Sequence, residues 1–178
     1  MKLYVARHGQ ALSNVLGVNN ADPKYNFPLT KLGVEQSKYI ANTLKEVYLQ
    51  KIYVSELERT QQTGNLVNKH HSCPVIIDSR LNDNKTGFEG KTYEEYYKAL
   101  FKERNKWVCR LNDGESAIDV NKRAESFIND IKQSGDGVVL VVTSLFIIQQ
   151  IEKLLYGYDY QTAWDLFYST GTLNEYKI

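Results

Sequence analysis

The strongest constraint on the fold of this chain is the alternation of short apolar runs with longer amphipathic stretches. The short runs predict buried strands at residues 3–6, 51–54, 75–77 and 138–142. Apolar residues at helical spacing predict helices at 31–47, 58–68, 92–109 and 147–156, and one more that begins after a capping Ser116. Strands that alternate with helices of this length imply a mainly parallel sheet covered on both faces.

We therefore expect a single α/β domain over residues 1–178, built as a three-layer α/β/α sandwich with a mainly parallel sheet. A chain of 178 residues can bury about two thirds of its unfolded surface, so it needs no metal or disulfide to fold. No repeat, low-complexity tract or linker divides it. Residues 173–177 are expected to add an edge strand.

Composition and charge exclude several classes of partner. The net charge is +1, with acidic and basic residues interspersed, so neither nucleic acid nor a membrane is the expected partner. No signal-peptide pattern and no apolar stretch of spanning length is present, and a cytoplasmic protein is expected. Cys73 and Cys109 are too few and too far apart for a disulfide framework or a zinc site, and no metal or cofactor is expected. The sequence does not specify an oligomeric state.

Candidate chemistry begins where the first strand ends, at Arg7-His8-Gly9. The carboxyl ends of parallel strands usually carry the functional residues. Arginine offers a fork of donors to phosphate, histidine a nucleophile or proton carrier, and glycine a close approach of backbone N–H groups to an anion. Arg59 lies in the first turn of the helix after the second strand, at the same edge, where a helix N-terminus also favours an anion. Spacing alone allows Arg59 to pair instead with a neighbouring surface glutamate.

Four motifs occur together in this chain: Arg7-His8-Gly9; Pro28-Leu29-Thr30 with Gly33 and Gln36; Ser55-x-Leu57-x-Arg59-Thr60-x-Gln62-Thr63; and Gly114-Glu115-Ser116. In this order they resemble the histidine phosphatase superfamily, the phosphoglycerate-mutase-like enzymes. The resemblance implies a phosphoglycerate-mutase-like fold and a phosphatase for small phosphate monoesters. It also implies that His8 forms a phosphohistidine while Arg7, Arg59 and Asn14 hold the phosphoryl oxygens. Asn14 has a second interpretation, as a turn residue that bonds its own backbone.

A general acid must protonate the leaving alkoxide, and the resemblance places a carboxylate after the third strand. Asp83 follows that strand here, where the family usually has the longer glutamate. Glu89 is the alternative acid, and a solvated loop carboxylate without a role is the third interpretation.

The largest departure from the family pattern is Ser144, which occupies the position of the family's second histidine. A neutral hydroxyl donates a hydrogen bond but carries no positive charge. Because the loss of one preorganised donor costs on the order of 10²- to 10³-fold in rate, weakened activity is predicted. The alternative is a catalytically inactive phosphate-binding pseudoenzyme. Phosphoglycerate mutase activity is the weaker alternative, and a scaffold role would require Leu145 and Phe146 to block the site.

Several other side chains receive less specific predictions. His70 and His71 are expected in a surface turn at the far end of their helix, not at a metal. Helical spacing indicates that Tyr93, Tyr96, Tyr97 and Phe101 pack a helix face, in preference to forming a stacking platform. Loop residues that could line the pocket for the leaving group, or equally be solvated, are Asn19, Asn20, Lys24, Tyr25, Lys85 and Thr86.

Overall fold

A computed structural model describes residues 1–178 and contains one five-stranded sheet, with the strand order β3-β2-β4-β1-β5. The strands are β1 Lys2–Arg7, β2 Lys51–Val54, β3 Val75–Ile77, β4 Val138–Thr143 and β5 Leu173–Lys177. The first four run parallel, and β5 pairs antiparallel with β1 at the edge. The predicted strands, including the edge strand, are therefore confirmed.

Seven helices and one 3₁₀ turn connect the strands. The helices are α1 Leu12–Leu16, α2 Lys31–Leu44, α3 Glu58–Asn68, α4 Tyr93–Leu100, α5 Ala117–Gln133, α6 Leu145–Tyr156 and α7 Tyr160–Asp165, with the 3₁₀ turn at Ser79–Leu81. Helices α2 and α3 pack on one face of the sheet, and α5 and α6 pack on the other. None of the helices combines the length and the apolar character that crossing a bilayer requires.

The central strand β4 shows how the two cores form. Its side chains alternate between the faces, as the pleat of a strand requires. Val139 and Val141 pack with the α5 residue Phe127 in one buried cluster, while Leu140 and Val142 pack in a second cluster against α2 and α3. Burial on both faces explains why β4 reads as an unbroken apolar run. The three-layer α/β/α prediction is confirmed.

The prediction of a helix over residues 92–109 is wrong in its second half. Helix α4 ends at Leu100, and residues 101–109 form turns and irregular backbone. The polar run from Lys102 to Lys106 offers no apolar side chain with which to continue the buried face. Helices α1 and α7 were not predicted because they have only 5 and 6 residues, too few to show a helical period.

Two strand ends place the candidate residues side by side. In the parallel pairing of β1 with β4, Arg7 lies opposite Thr143. The residues that follow, His8 and Ser144, therefore leave the sheet at the same edge. Helix α6 begins at Leu145, two residues earlier than predicted, which makes Ser144 its N-cap.

Candidate active site

His8 is the first residue after β1, and its orientation follows from its hydrogen bonds. Its backbone N–H donates to the carbonyl oxygen of Thr143 at 3.0 Å, which extends the sheet by one bond. The side-chain Nδ1 lies 2.7 Å from the carbonyl oxygen of Gly9. Because a carbonyl oxygen can only accept, Nδ1 carries the proton, and Nε2 keeps a lone pair.

The environment keeps the imidazole uncharged. His8 is only 1% exposed. Burial first, and then the positive charge of Arg59, hold the pKa of His8 well below its ordinary value of 6.5. His8 is therefore neutral at neutral pH, which is the form in which Nε2 is nucleophilic.

Arg59, in the first turn of α3, binds three groups around the site. Its Nε donates to His8 Nε2 at 3.0 Å. Its Nη1 and Nη2 donate to the side-chain and backbone oxygens of Asn20 at 2.5 and 2.9 Å, and Nη2 lies 3.3 Å from Asp83 Oδ2. The Arg59 side chain is 3% exposed. The structure therefore places Arg59 beside His8 and Asp83, not in a surface pair with Glu56 or Glu58.

Two buried polar groups beside His8 have no hydrogen-bond partner within the protein. Arg7 donates from Nη1 to the backbone oxygen of Tyr168 at 2.5 Å, but its Nε is unpartnered. Ser144 is 1% exposed, and its Oγ is also unpartnered, since it makes no capping bond to α6. Both residues line the same cavity as His8. Buried donors are normally satisfied, so an oxygen-rich ligand is the natural partner for these two.

The two candidate acids lie in different environments. Asp83 lines the cavity with a side chain that is 31% exposed, and its Oδ1 accepts the backbone N–H of Asn84. Glu89 does not line the cavity. Its carboxylate accepts from Asn20 Nδ2 at 2.8 Å and from the backbone N–H of Ala21 at 2.9 Å. These bonds tie Glu89 to the loop after α1, and the geometry favours Asp83 as the acid.

Of the two predicted phosphate-binding residues Asn14 and Gly9, only Asn14 lines the cavity. Asn14 Oδ1 accepts the backbone N–H of Ala11 at 2.9 Å, as a turn residue would, and Asn14 also lines the cavity. Gly9 does not line it, and its N–H donates to Thr63 Oγ1 at 3.1 Å. A side chain on Gly9 would collide with the backbone carbonyl of Gly33. Glycine is needed here for close packing against α2, and its N–H is directed at Thr63 and not into the cavity.

Residues missed by the sequence analysis hold the loop that carries Asp83. Arg123, on α5, donates from Nη1 to the backbone oxygen of Asn82 at 2.8 Å and from Nη2 to that of Asp83 at 3.1 Å. Its Nε also binds Glu115 at 2.8 Å. A lone arginine in an amphipathic helix gives no sequence signal for such a role. Glu115 belongs to the Gly114-Glu115-Ser116 motif, so that motif carried a partial signal.

The cavity has a volume of about 650 Å³, and Leu145 and Phe146 are among the residues that line it without filling it. The blocked site that a scaffold role would require is therefore absent. Of the six loop residues considered for the leaving group, Asn19, Asn20 and Thr86 line this cavity, whereas Lys24, Tyr25 and Lys85 do not.

The tyrosines of α4 do more than pack a helix face. Tyr93, Tyr96 and Tyr97 all line the cavity, whereas Phe101 is 62% exposed and lies outside it. Burial raises the pKa of the Tyr93 and Tyr97 hydroxyls, so both stay uncharged. The interpretation as packing alone is corrected for these three residues.

The two adjacent histidines lie far from this cavity. His70 and His71 follow the last turn of α3, and their backbone N–H groups close a turn on Val67 and Asn68. Arg59 lies at the other end of the same helix. The predicted placement in a turn at the far end is confirmed.

Comparison with known proteins finds relatives that match most or all of this chain. The crystal structure of the alpha-ribazole phosphatase from Shigella flexneri is 26% identical with a TM-score of 0.89, covering 100% of this chain and 91% of that one. The "Putative phosphoserine phosphatase 2" of Hydrogenobacter thermophilus is 25% identical over 180 residues, covering 98% of this chain and 88% of that protein. The "Probable phosphoglycerate mutase GpmB" of Escherichia coli is 25% identical over 146 residues, covering 77% of this chain and 66% of that protein.

The family model described as "Histidine phosphatase superfamily (branch 1)" matches residues 3–178, nearly the whole chain. The match spans every residue that lines the cavity, from Arg7 to Phe167. The chain belongs to the histidine phosphatase superfamily.

Proposed function

We propose that this protein is a phosphatase that hydrolyses small phosphate monoesters through a phosphohistidine on His8, with activity weakened by Ser144. The observation that carries the proposal is the state of His8. Its Nδ1 proton is held by the Gly9 carbonyl, and its neutral Nε2 faces Arg59 in an open cavity. A histidine held only for packing needs neither the fixed tautomer nor a cationic neighbour.

The phosphoryl group would be held by donors on two sides. Arg7 Nε and Ser144 Oγ are buried and free of protein partners, and Arg59 already directs Nε at His8. Two guanidinium groups can stabilise the equatorial oxygens of a phosphoryl group in an in-line transfer. Before His8 Nε2 attacks phosphorus, the Nε–H of Arg59 must turn from the imidazole to a phosphoryl oxygen. Asn14 would contact a phosphoryl oxygen through its amide NH₂, since its oxygen accepts from Ala11.

The reaction then follows in two balanced steps. In the first, His8 Nε2 forms a bond to phosphorus, the ester P–O bond breaks, and the Asp83 carboxyl gives its proton to the leaving oxygen. In the second, the Asp83 carboxylate takes a proton from water, the water oxygen bonds to phosphorus, and the P–N bond breaks. Inorganic phosphate and an alcohol are the products, and both His8 and Asp83 regain their starting forms.

The direct test is phosphate release from 4-nitrophenyl phosphate between pH 5 and 8, with quenched samples checked for acid-labile phosphate on the protein. We expect turnover with a phosphoenzyme. We also expect that protonation of His8 does not lower kcat/KM at pH 6.5. The pKa of His8 is depressed, so its neutral form persists as the pH falls. The ionisation of the substrate, titrated separately, is divided out of the profile. A residual tenfold fall per pH unit below 6.5 would contradict a neutral, buried His8.

Ser144 sets the level of that activity. We expect Ser144→Ala to lower kcat by about 10²-fold, because it removes one preorganised donor to the transferring phosphoryl group. Ser144→His introduces an imidazole at the start of α6 and is expected to raise kcat by up to about 10²- to 10³-fold. Both are measured with the same aryl phosphate. If Ser144→Ala matches the unmodified protein, the hydroxyl does not contact the phosphoryl group.

A second candidate function is phosphate binding without turnover. The observation that favours it is Ser144, which stands where the family has its second histidine. Such a pseudoenzyme would keep the anion-binding groups of Arg7 and Arg59 while lacking the charged donor of the second histidine. Calorimetric titration with inorganic phosphate, combined with the assays for phosphate release and phosphoenzyme, separates the two functions. Binding without any phosphoenzyme or phosphate release would support the pseudoenzyme.

A further inference from the structure

We infer that the substrate's leaving group is uncharged and carries an aromatic ring, which packs against Trp164. This inference rests on the proposed phosphatase function and names the substrate class of the same cavity. It follows from two separate features of the cavity wall, its charge and its aromatic side chains.

The first feature is the distribution of charge. Arg7 and Arg59 are the only lysine or arginine residues that line the cavity, and both lie beside His8. The remaining charged residues in the lining are acidic, Asp83 and Asp165. Asp165 is exposed and accepts from Gln161 Nε2 at 2.9 Å. A carboxylate on the leaving group would have no cation of its own, and burying it unpaired is unfavourable.

This charge pattern separates possible substrates. Phosphoserine and phosphoglycerate both carry a carboxylate beside the ester, so either would compete with its own phosphate for the two arginines. An uncharged leaving group avoids that competition. The same argument weighs against mutase activity, because a phosphoglycerate must be held by its carboxylate as well as its phosphate.

The second feature is the aromatic wall. Trp164 makes edge-to-face contacts with Tyr97 and Phe146, with ring centroids 6.0 and 5.8 Å apart, and all three residues line the cavity. Aromatic pairs of this geometry attract one another beyond the effect of burial. A ring on the substrate could join the same arrangement. The neutral tyrosines Tyr93 and Tyr97 add no charge to this part of the wall.

Trp164 is also fixed from outside the cavity. Trp107 contacts it edge-to-face at 5.5 Å, and the ammonium of Lys106 lies 5.1 Å from its ring centroid. Neither of these residues lines the cavity. Since its neighbours already hold the indole in place, little freedom is lost when a ligand ring packs on it.

The experiment compares phosphate esters of primary alcohols, so that leaving-group chemistry varies little. The substrates are benzyl, cyclohexylmethyl and ethyl phosphate, with O-phosphoserine and 3-phosphoglycerate as the charged pair. We expect kcat/KM for benzyl phosphate to exceed the charged pair by about 10²-fold or more. The kcat/KM for benzyl phosphate should exceed that for cyclohexylmethyl phosphate by about 3- to 10-fold, which corresponds to the energy of one aromatic pair. Equal rates for the charged pair and benzyl phosphate would overturn the inference, and equality with cyclohexylmethyl phosphate would overturn its aromatic part.

A matched pair of variants locates the ring. Trp164→Leu is expected to lower the ratio of benzyl to ethyl phosphate turnover by about tenfold. Phe101→Ala should leave that ratio unchanged, because Phe101 stacks on Tyr97 at 5.8 Å but lies outside the cavity. Thermal unfolding of both variants shows whether they fold. A folded Trp164→Leu with an unchanged ratio would overturn the placement.

Failure of the inference is distinguishable from failure of the proposed function. Benzylphosphonate and phosphonoacetate are not hydrolysed, and their affinities are measured by calorimetry whether or not the protein turns over an ester. We expect benzylphosphonate to bind at least tenfold more tightly. Equal affinities would overturn the inference even in an active enzyme. Tighter binding of benzylphosphonate without any turnover would reject the phosphatase function and support only the preference of this cavity for an uncharged aromatic group.

Discussion

Replacing His8 with alanine is expected to lower kcat/KM by on the order of 10⁴- to 10⁶-fold, because covalent phosphoryl transfer loses its nucleophile. The phosphoenzyme should disappear at the same time. No other histidine can substitute, since His70 and His71 lie beyond the far end of α3. Phosphate release and acid-labile phosphate are measured on identically prepared samples.

The matched control is His70→Ala, which removes an exposed imidazole remote from the cavity and should leave the rate unchanged. His8→Gln tests whether the loss is chemical, because it restores side-chain volume and polarity without a nucleophilic nitrogen. We expect His8→Gln to be as inactive as His8→Ala. If either folded variant keeps a tenth of the activity, then His8 is not the nucleophile, and direct attack by water between Arg7 and Arg59 replaces the phosphohistidine.

The parts of this site that the sequence predicted are those determined by local pattern. His8 and Ser144 each follow an apolar strand, and parallel strands bring their carboxyl ends to one edge. Arg59 starts the helix after β2, so its place on the same edge also follows from chain order. The three-layer architecture was also predictable, because the alternation of strands and helices is visible along the chain.

The parts that could not be predicted depend on contacts between distant segments. Glu89 is tied to Asn20 and Ala21, nearly seventy residues away, and does not line the cavity that Asp83 lines. Gly9 gives its N–H to Thr63, 54 positions along the chain. No periodicity or spacing encodes such partners. Tyr97 was assigned to packing because helical spacing shows which residues share a face, not whether that face borders a cavity.

Replacing Arg59 with alanine is expected to lower kcat/KM by on the order of 10³- to 10⁵-fold, since an arginine that stabilises the transferring phosphoryl group has an effect of this size. The variant also changes the nucleophile. The charge of Arg59 is the second cause, after burial, of the depressed pKa of His8, so removing it should raise that pKa toward 6.5. Residual activity in Arg59→Ala should then fall at a higher pH than in the unmodified protein.

Arg59→Lys separates the charge from the geometry. Lysine keeps the positive charge but offers no planar fork for His8 Nε2, Asn20 and a phosphoryl oxygen. We expect it to keep the low pKa of His8, and hence the pH profile, while recovering only part of the rate. Arg110→Ala is the control, because Arg110 forms an exposed pair with Asp119 and lies outside the cavity.

The kinetic parameters then show where Arg59 acts. Loss of a guanidinium that binds the phosphate equally in the ground and transition states would raise KM and leave kcat intact, whereas loss of one that binds the transition state more strongly must lower kcat. For Arg59→Ala we expect a larger change in kcat than in KM, because the Arg59 Nε–H donates directly to the nucleophilic Nε2 of His8. A folded Arg59→Ala variant within tenfold of the unmodified kcat, with an unshifted pH profile, would mean that Arg59 serves chiefly to anchor Asn20 and that Arg7 alone holds the transferring group.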